Sequence, residues 1–326
     1  MSEETVTTQA SPGATAGAAP DAAAIRAAAR RIAPWIRRTP LLQLSAAELG
    51  LACDVTLKLE LLQASGSFKP RGAFNRLLSN TLPGAGVIAA SGGNHGAAVA
   101  YAARALGVPA EIYVPEITGP AKLARIRAYG ATLVQTGASY DEARQASEAR
   151  AAETGALLVH AYDQAEVLAG QGTLGLELEE QAPELTHILL ATGGGGLIGG
   201  VAAWYGERAE IVSVEPEACP TLYTALREGR PVPVPVGGLA ADSLGARQVG
   251  ALMFGVARER IGSALLVPDE AIRAAQLLLW ERCRLVAEPG GATALAALLC
   301  GAFHPPQGAR IGVVVCGANT DPGSVA

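Results

Sequence analysis

The sequence has few cysteines, few aromatic residues and no surplus of basic residues. Its cysteines are odd in number and lack the paired spacing of a zinc site or a disulfide framework: Cys53, Cys219, Cys283, Cys300 and Cys316. Free thiols persist in a reducing compartment, so we expect a cytoplasmic protein. Aromatic residues make up only 4% of a chain that is half hydrophobic, which favours a core built from Ala, Leu and Val.

Basic clusters and long apolar runs are also missing. Against 30 acidic residues there are 25 Lys and Arg, which gives a net charge of −5, so nothing favours nucleic acid as a partner. No uninterrupted apolar stretch reaches the roughly 18 residues that a membrane span needs, so we expect no membrane partner. Residues 1–20 are rich in Ala, Thr, Gly and Pro, and their early charges are Glu3 and Glu4. They do not resemble a secretory signal, and we expect a disordered tail.

Alternating strand and helix signals predict an α/β fold in a chain of 326 residues, long enough for one or two domains. The predicted strands are 54–59, 87–90, 110–114, 131–135, 156–160, 187–191, 210–215 and 311–315, and the main predicted helices are 22–35, 97–106, 121–129, 140–153, 173–180 and 269–285. Such alternation is typical of parallel sheets covered by helices. Two glycine turns in separate strand-turn-helix units indicate two sheets with a cleft between them.

The segment Ser65–Gly72, S-G-S-F-K-P-R-G, contains the first candidate catalytic residue, Lys69. A catalytic amine needs a fixed and partly desolvated position so that it is often neutral. Phe68 and Pro70 on either side provide apolar cover and restraint. Spacing alone leaves open that Lys69 is a solvated charge at the start of a helix.

Two glycine motifs follow predicted strands. In Ser91–Gly96, S-G-G-N-H-G, backbone N–H groups at a helix N-terminus can bind a carboxylate, and Asn94 can bond a phenolic oxygen. In Thr192–Leu197, T-G-G-G-G-L, consecutive amides can point at a phosphate. Either motif can also be an ordinary turn from a strand into a helix.

A competing interpretation uses the second glycine motif. Gly194, Gly196 and Gly199 satisfy the G-x-G-x-x-G fingerprint, and Glu215 stands where a ribose-binding acid belongs, so an NAD-dependent dehydrogenase remains open. The last motif, Cys316–Asn319, ends a predicted buried strand. The Cys316 thiol either faces a ring nitrogen or is simply a small buried residue.

In this order, the motifs resemble those of fold type II pyridoxal phosphate enzymes, and within them the serine/threonine dehydratase (threonine ammonia-lyase) and serine racemase family. The resemblance extends from about Ile25 to the C-terminus and also includes A-G-Q-G-T at Ala169–Thr173 and E-P-G-G-A at Glu288–Ala292. It implies the fold of the tryptophan synthase β-subunit, with two open twisted sheets, flanking helices and the cofactor in the interdomain cleft. The implied large domain comprises 21–85 and 163–326, and the small domain comprises 86–162.

The resemblance also assigns roles to matching residues. Lys69 matches the lysine that binds pyridoxal phosphate as a Schiff base and removes the α-proton, Phe68 the aromatic residue beside the cofactor ring, and Asn94 the partner of the ring oxygen. The substrate-carboxylate loop is matched by Ser91, Gly92, Gly93, Asn94 and His95. The phosphate-binding loop is matched by Gly193, Gly194, Gly195, Gly196 and Leu197, and the residue facing the pyridine nitrogen by Cys316.

The implied activity is that of a lyase that converts a threonine-like or serine-like β-hydroxy amino acid into a 2-oxo acid and ammonia. Relatives are commonly dimers, so we expect a homodimer. Racemases of the family have Ser where this chain has Gly92, which favours dehydration over racemisation. Many members have Ala-Asp-Gly where this chain has Ala241-Asp242-Ser243, so larger or acidic substrates such as phenylserine or 3-hydroxyaspartate remain open.

Two more functions remain compatible with the sequence. One is β-replacement by a pyridoxal phosphate enzyme, and the second is ligand binding without catalysis. Some relatives bind a divalent cation after a Glu-Pro pair, here Glu215-Pro216, but Thr221 stands where the next acidic ligand is expected, so we expect no metal site. The chain ends soon after Cys316, and we expect no C-terminal regulatory domain of the kind found in biosynthetic threonine dehydratases.

Overall fold

The computed structural model describes residues 18–325. Of the predicted tail at 1–20, residues 1–17 lie outside the described residues, while residues 18–20 have no regular secondary structure. No helix in the described part of the chain is long and apolar enough to cross a membrane.

The described residues form ten strands in two sheets. The strands are β1 Leu41–Leu44, β2 Val55–Lys58, β3 Val87–Ala90, β4 Ala110–Val114, β5 Thr132–Gln135, β6 Leu157–Leu158, β7 His187–Ala191, β8 Glu210–Pro216, β9 Ile261–Val267 and β10 Ile311–Val314. One sheet has the order β1-β2-β10-β7-β8-β9, and the other has the order β5-β4-β3-β6. Neighbouring strands are parallel except for β1, which pairs antiparallel with β2.

Thirteen α-helices lie among the described residues. They are α1 Ala22–Ile32, α2 Ala46–Leu49, α3 Pro70–Leu78, α4 Asn94–Ala105, α5 Pro120–Arg127, α6 Tyr140–Thr154, α7 Ala165–Gln181, α8 Gly196–Tyr205, α9 Thr221–Glu228, α10 Ala241–Leu244, α11 Ala251–Arg260, α12 Asp269–Cys283 and α13 Pro289–Leu299. The α/β fold class with two sheets and flanking helices, predicted from the sequence, is confirmed.

The strands at the centre of the larger sheet are buried on both faces. Every residue of β10 is buried, as are all residues of β7 except the first. Continuous apolar strands of this kind are typical of a parallel sheet with helices on both sides. The carboxyl ends of β7 and β10 lead directly into the glycine loop and into Cys316, so the sheet brings these two motifs to one edge.

Helix α7 packs closely against α8 because both contain glycine at the contact. A Cβ atom on Gly172 would lie 2.8 Å from the carbonyl oxygen of Gly200, and a Cβ on Gly170 would collide with the backbone of Arg71. The A-G-Q-G-T motif therefore allows α7 to approach both α8 and α3. This packing fixes α3, which begins directly after Lys69.

Element boundaries differ from the predictions in several places. Three strands, 87–90, 110–114 and 187–191, have the predicted bounds, but β1 and β9 were not predicted. Helix α7 begins at Ala165 instead of residue 173, and α4 begins at Asn94 instead of residue 97. Helix α1 ends at Ile32 instead of residue 35. The earlier start of α4 places Asn94 in the first turn of a helix.

The two sheets draw on different parts of the chain. All strands of the four-stranded sheet lie between residues 86 and 162, the span that the sequence predicts for a small domain. The six-stranded sheet takes strands from the segments before and after that span. The chain thus leaves the larger sheet after α3 and returns to it after β6.

Candidate active site

A cavity lies where the carboxyl ends of strands from both sheets meet. The predicted site residues that line it are Phe68, Lys69, Asn94, Gly193, Gly194, Gly195, Gly196, Leu197 and Cys316. The other lining residues are Tyr162, Ala191, Ile198, Ser243, Leu244, Glu288 and Gly290, of which only Ser243 was expected from the sequence to affect the choice of substrate. Ser91, Gly92, Gly93 and His95 are not among the lining residues. The motifs are therefore brought together from segments more than two hundred residues apart.

Lys69 immediately precedes α3 and is half-buried. Its Nζ donates a hydrogen bond to the carbonyl oxygen of Ala161 at 2.8 Å and lies 5.1 Å from the centre of the Phe68 ring. Burial lowers the pKa of Lys69 to about 8, although Cys316 and Glu288 act in the opposite direction. The amine is therefore neutral far more often than that of a solvated lysine.

A buried ionic network holds the start of α3 in place. Arg71 bonds both carboxylate oxygens of Glu60, at 2.5 and 2.9 Å, and also bonds Glu177 at 2.9 Å. Lys58 bonds the other oxygen of Glu177 at 2.5 Å. Two cations and two anions thus compensate one another without solvent, and they tie α3 to β2 and α7. Lys69 is only two residues from this anchor.

The glycine loop leaves no room for side chains at Gly194, Gly195 and Gly196. Gly195 has φ +88°, and a Cβ there would collide with Met253. A Cβ on Gly194 would collide with the Tyr162 ring, and one on Gly196 would lie 2.8 Å from Tyr162 Cβ and 3.0 Å from its Cα. Gly195 caps α8 without any side-chain hydrogen bond. The first N–H groups of α8 are thus open to an anion, since no side chain satisfies them. This loop fits a phosphate group.

Asn94 is held by the side chains of Glu288, at the start of α13, and Asn319, which lies in the segment after β10. Its Nδ2 donates to Glu288 Oε1 at 2.6 Å, and its Oδ1 accepts a hydrogen bond from Asn319 Nδ2 at 2.7 Å. Burial raises the pKa of Glu288 to about 7, against the lowering effects of the Asn94 hydrogen bond and of Arg125. Neither Glu288 nor Asn319 was given a role from the sequence. Glu288 precedes Pro289 at the start of α13, and that pattern indicates only a helix start.

The side chains of the predicted carboxylate loop point in different directions. Ser91 Oγ accepts a hydrogen bond from the Gly93 N–H at 3.2 Å. The His95 ring is buried against the Val159 carbonyl oxygen, 2.9 Å from Nε2. Burial, and next the charge of Lys69, lower the His95 pKa to about 3, so the ring is neutral. Only the backbone of His95 is therefore available to a substrate.

Thr118 occupies the space that a side chain at Gly92 would need. A Cβ atom on Gly92 would lie 2.9 Å from Thr118 Cγ2, closer than side-chain carbons normally approach. Thr118 follows β4 and is half-buried. A serine at this position would require Thr118 to move.

Cys316 is buried at the end of β10 and donates a hydrogen bond from Sγ to the Gly290 carbonyl oxygen at 3.5 Å. Burial raises the pKa of the thiol far above its usual value, and the nearby Glu288 raises it further. The residue is therefore an uncharged thiol at physiological pH.

Ser243 adds a hydroxyl group to the cavity wall. Its Oγ accepts a hydrogen bond from the Gly290 N–H at 3.1 Å and donates to the Ala240 carbonyl oxygen at 3.4 Å. The hydroxyl thus joins α10 to the first turn of α13, because both of its bonds are to backbone groups. It occupies space that a glycine would leave open.

Two ion pairs cross the rim of the cleft. Lys122 on α5 lies 2.8 Å from Asp242 on α10, and Arg247 lies 3.7 Å from Asp141 on α6. All four side chains are exposed or half-exposed. They join helices beside the small sheet to the segment 241–247 beside the larger sheet.

The Glu215 carboxylate does not face a ligand. It accepts hydrogen bonds from the backbone N–H groups of Leu222 and Tyr223, both at 2.7 Å, at the start of α9. Burial raises the pKa of Glu215 to about 7. Among residues 18–325 no group of three or more His, Cys, Asp or Glu side chains is arranged to hold a metal ion. Glu215 is also unavailable to the ribose of a dinucleotide.

Comparison with known proteins decides between the two cofactor interpretations. Residues 32–317 match the family model described as pyridoxal-phosphate dependent enzyme. The chain belongs to this family. Pyridoxal phosphate is thus the cofactor, and the interpretation of Gly194–Gly199 as a dinucleotide site is set aside.

Curated relatives and solved structures cover most of the chain. An L-threonine ammonia-lyase of Geobacter sulfurreducens is 39% identical over 302 residues, which are 91% of this chain and 75% of the relative. A phenylserine dehydratase of Ralstonia pickettii is 37% identical over 309 residues, which are 93% of this chain and 94% of the relative. The solved structure of maize serine racemase is 34% identical with a TM-score of 0.88, and the match covers 94% of this chain and 95% of that one.

Proposed function

We propose that this protein is a pyridoxal phosphate-dependent dehydratase that converts a threonine-like or serine-like β-hydroxy amino acid into a 2-oxo acid and ammonia. The observation that carries the proposal is the half-buried Lys69 amine in one cavity with the glycine loop, Asn94 and Cys316. Relatives with ammonia-lyase and dehydratase activities, at 39% and 37% identity, support it.

Each part of the cofactor has a group to hold it. We assign its phosphate to the backbone N–H groups of Gly193–Leu197, its ring oxygen to Asn94, its ring nitrogen to Cys316 and its aldehyde carbon to Lys69. When bound, pyridoxal phosphate supplies an electron-withdrawing ring that stabilises negative charge at the α-carbon of an amino acid. Phe68 beside the Lys69 amine provides apolar cover for that ring.

Lys69 is the proposed base at the α-carbon. Its pKa of about 8 leaves a substantial fraction of the amine neutral near physiological pH, and a neutral amine can accept a proton. The Ala161 carbonyl oxygen holds the amine in place through the bond of 2.8 Å. The substrate carboxylate is assigned to the backbone N–H groups at the start of α4, where the helix dipole favours an anion.

Two features favour elimination over other reactions of the cofactor class. The uncharged Cys316 thiol offers no negative charge to a protonated ring nitrogen, so a long-lived carbanion is less stabilised than it would be beside a carboxylate. Gly92 provides no hydroxyl group that could donate a proton from the opposite face, and Thr118 occupies the adjacent space. Racemisation therefore lacks its second acid.

Substrate size is a further part of the proposal. Phenylserine is a candidate because the relative that acts on it matches this chain over nearly the full length of both proteins. Ser243, which is hydrogen-bonded to Gly290, narrows the cavity, and Leu244 lines the cavity beside Ser243. Serine and threonine are the smaller candidates, and 3-hydroxyaspartate is the acidic one.

A screen of ammonia release tests the activity directly. Purified holoenzyme is incubated with serine, threonine, 3-hydroxyaspartate and phenylserine, the last three in both threo and erythro forms. We expect ammonia and 2-oxo acid in equal amounts from at least one of them. Holoenzyme that releases no ammonia from any of these compounds contradicts the proposal. If an added thiol is incorporated into the product while the turnover rate stays the same, the enzyme catalyses β-replacement instead of dehydration.

The same proposal includes the quaternary structure and the domains. We propose a homodimer, to be tested by size-exclusion chromatography with light scattering. We also propose a small domain at 86–162 and a large domain at 21–85 and 163–326, because the four-stranded sheet lies within the first of these spans. Limited proteolysis within 78–87 and 158–165, the segments that connect the two sheets, tests this division.

A further inference from the structure

A chain of hydrogen bonds connects four motifs at the cavity. Asn319 Nδ2 lies 2.8 Å from the Ser65 carbonyl oxygen and 2.7 Å from Asn94 Oδ1. Asn94 Nδ2 in turn lies 2.6 Å from Glu288 Oε1. The hydrogen bonds therefore run from the segment before Lys69, through Asn319 in the segment after β10, to the first turn of α4 and the start of α13.

The direction of this chain is fixed at the Ser65 end. A backbone carbonyl oxygen can only accept a hydrogen bond, so the Asn319 side chain must present its NH2 group there. Ser65 has φ +59°, one of two left-handed values among the non-glycine residues of the described part of the chain. Beside it, Gly66 leaves room for the Asn319 amide, since a Cβ on Gly66 would lie 2.6 Å from Asn319 Oδ1. The Asn319 amide is thus held in a single orientation.

The orientation of Asn319 determines that of Asn94. Because the NH2 group of Asn319 faces Asn94, the Asn94 amide must present its oxygen to it. A reversed Asn94 amide would place two NH2 groups against each other and an oxygen against the Glu288 carboxyl group. When its carboxyl group is ionised, Glu288 favours the same orientation as Asn319. The Ser65 carbonyl oxygen that starts the chain does not titrate, so the preference set by Asn319 holds over a wide pH range.

One of the two side-chain N–H groups of Asn94 has no hydrogen-bond partner among the described residues. Its NH2 group has two hydrogens, of which one bonds Glu288, and within residues 18–325 the Nδ2 atom makes no other hydrogen bond. Asn94 lines the cavity, and its oxygen is already bonded to Asn319. Toward the cavity, Asn94 thus offers a donor.

We propose that Asn319 is a positioning residue that makes Asn94 a hydrogen-bond donor toward the ring oxygen of the cofactor. The inference rests on the proposed function in one respect, because there Asn94 is the partner of that oxygen. A donor at this point stabilises the deprotonated ring oxygen and disfavours the protonated one. Asn319 would then set the protonation state of the cofactor although it is not among the residues that line the cavity.

The test compares holoenzymes of the wild type, N319D, N319A and the control N80D. The carboxylate introduced by N319D has no NH2 group, so it repels the Ser65 carbonyl oxygen and draws the Asn94 NH2 group toward itself. The methyl group introduced by N319A leaves Asn94 free in either orientation. Asn80 is a matched control because, among residues 18–325, its side chain bonds only the Arg76 carbonyl oxygen near the end of α3. The visible absorbance of the bound cofactor is titrated with pH, and cofactor affinity is measured by fluorescence.

For N319D we expect the midpoint of the absorbance titration to rise by about one pH unit and the cofactor dissociation constant to rise about tenfold. N319A should shift both in the same direction by less, and N80D should match the wild type. Midpoints and dissociation constants of N319D and N319A equal to those of the wild type overturn the inference. Ammonia release by the wild type is measured separately. Its absence contradicts the proposed function and leaves the titration valid.

If the variants do not fold, a crystal structure of the wild-type holoenzyme tests the role of Asn319. We expect Asn319 Nδ2 within hydrogen-bond distance of both the Ser65 carbonyl oxygen and Asn94 Oδ1, with Asn94 Nδ2 on the ring oxygen. A separation beyond about 4 Å between Asn319 Nδ2 and Asn94 Oδ1 would overturn the inference.

Discussion

The Nζ atom of Lys69 lies 2.8 Å from the carbonyl oxygen of Ala161, on the segment by which the chain returns from the small sheet. Lys69 itself precedes α3, which packs on α7 beside the larger sheet. The reactive amine therefore joins parts of the chain that belong to different sheets. Its proton affinity depends on how closely those parts approach, since burial is the main cause of its lowered pKa.

Replacement of Lys69 by Ala should abolish ammonia release and the covalently bound cofactor. The reason is that no other amine lines the cavity among the described residues. Borohydride treatment followed by absorbance measurement checks the covalent bond. Visible absorbance that resists dialysis in K69A as in the wild type would contradict the assignment.

The pKa of Lys69 predicts a pH dependence in the cofactor-free protein. Because burial lowers this pKa from 10.5 to about 8, the unfolded chain binds more protons than the folded protein between these pH values. The contribution of Lys69 to the free energy of unfolding therefore rises from pH 8 toward pH 10.5.

The rate of recombination with pyridoxal phosphate should rise with pH, with a midpoint near pH 8, because the neutral amine is the nucleophile. Rates of appearance of the visible band from roughly pH 6.5 to roughly pH 9.5 check this, and a rate independent of pH speaks against it.

Replacement of Gly195 by Ala should cost both stability and cofactor affinity. Its φ of +88° disfavours any side chain, and a Cβ there collides with Met253 beside the proposed phosphate site. Gly229 has φ +69° with open space around it, so G229A reports the backbone cost alone, about 1–2 kcal/mol. We expect G195A to bind the cofactor at least about tenfold more weakly. Equal cofactor affinities of the two variants would refute the assignment of the loop.

Replacement of Arg71 by Met should destabilise the protein by about 3–5 kcal/mol, because buried Glu60 and Glu177 lose their shared partner. Urea unfolding of the cofactor-free protein measures the difference. Removing the exposed Arg38, which pairs with Glu180 at 2.8 Å, is the control and should cost less than about 1 kcal/mol. A loss for R71M no larger than that for R38A would show that the network contributes little.

Replacement of Cys316 by Asp should change the ratio of elimination to side reactions. A carboxylate at this position would hold a proton on the ring nitrogen and prolong the carbanion, while its burial near Glu288 would oppose its own ionisation. The ratio of 2-oxo acid to transamination and racemisation products is measured by chromatography. The exposed Cys300 provides the control C300S. An unchanged ratio in C316D counts against this role of the thiol.

The wild type should release ammonia from serine much faster than it interconverts L- and D-serine. G92S alone should gain little racemase activity, because its Cβ would lie 2.9 Å from Thr118 Cγ2. The double variant G92S/T118A removes that methyl group and should gain more. Chiral chromatography of serine measures both rates. Racemisation by the wild type as fast as ammonia release would disprove the argument from Gly92.

The sequence predicts those strands and site residues that are marked by a local pattern of residues. Short apolar segments bounded by glycine or proline predicted three strands with their observed bounds, and the motifs identified nine residues that line the cavity. The start of α7 was missed because Gly170 and Gly172 reduce helix propensity, whereas close packing on α3 and α8 stabilises the helix. Glu288 and Asn319 gained roles only from the fold, because their partners are far away in sequence.

The rim ion pairs, Lys122 with Asp242 and Arg247 with Asp141, also bear on how fast small molecules reach the interior. Exposed pairs of this kind are worth about 0.2–1 kcal/mol each, which is comparable to thermal energy. Exposed side chains change rotamer within picoseconds to nanoseconds, so these pairs break and re-form without any segment unfolding. Pairs that open this fast hardly delay a small molecule at the edge of the cleft, and physiological salt, with a screening length of about 8 Å, weakens them further.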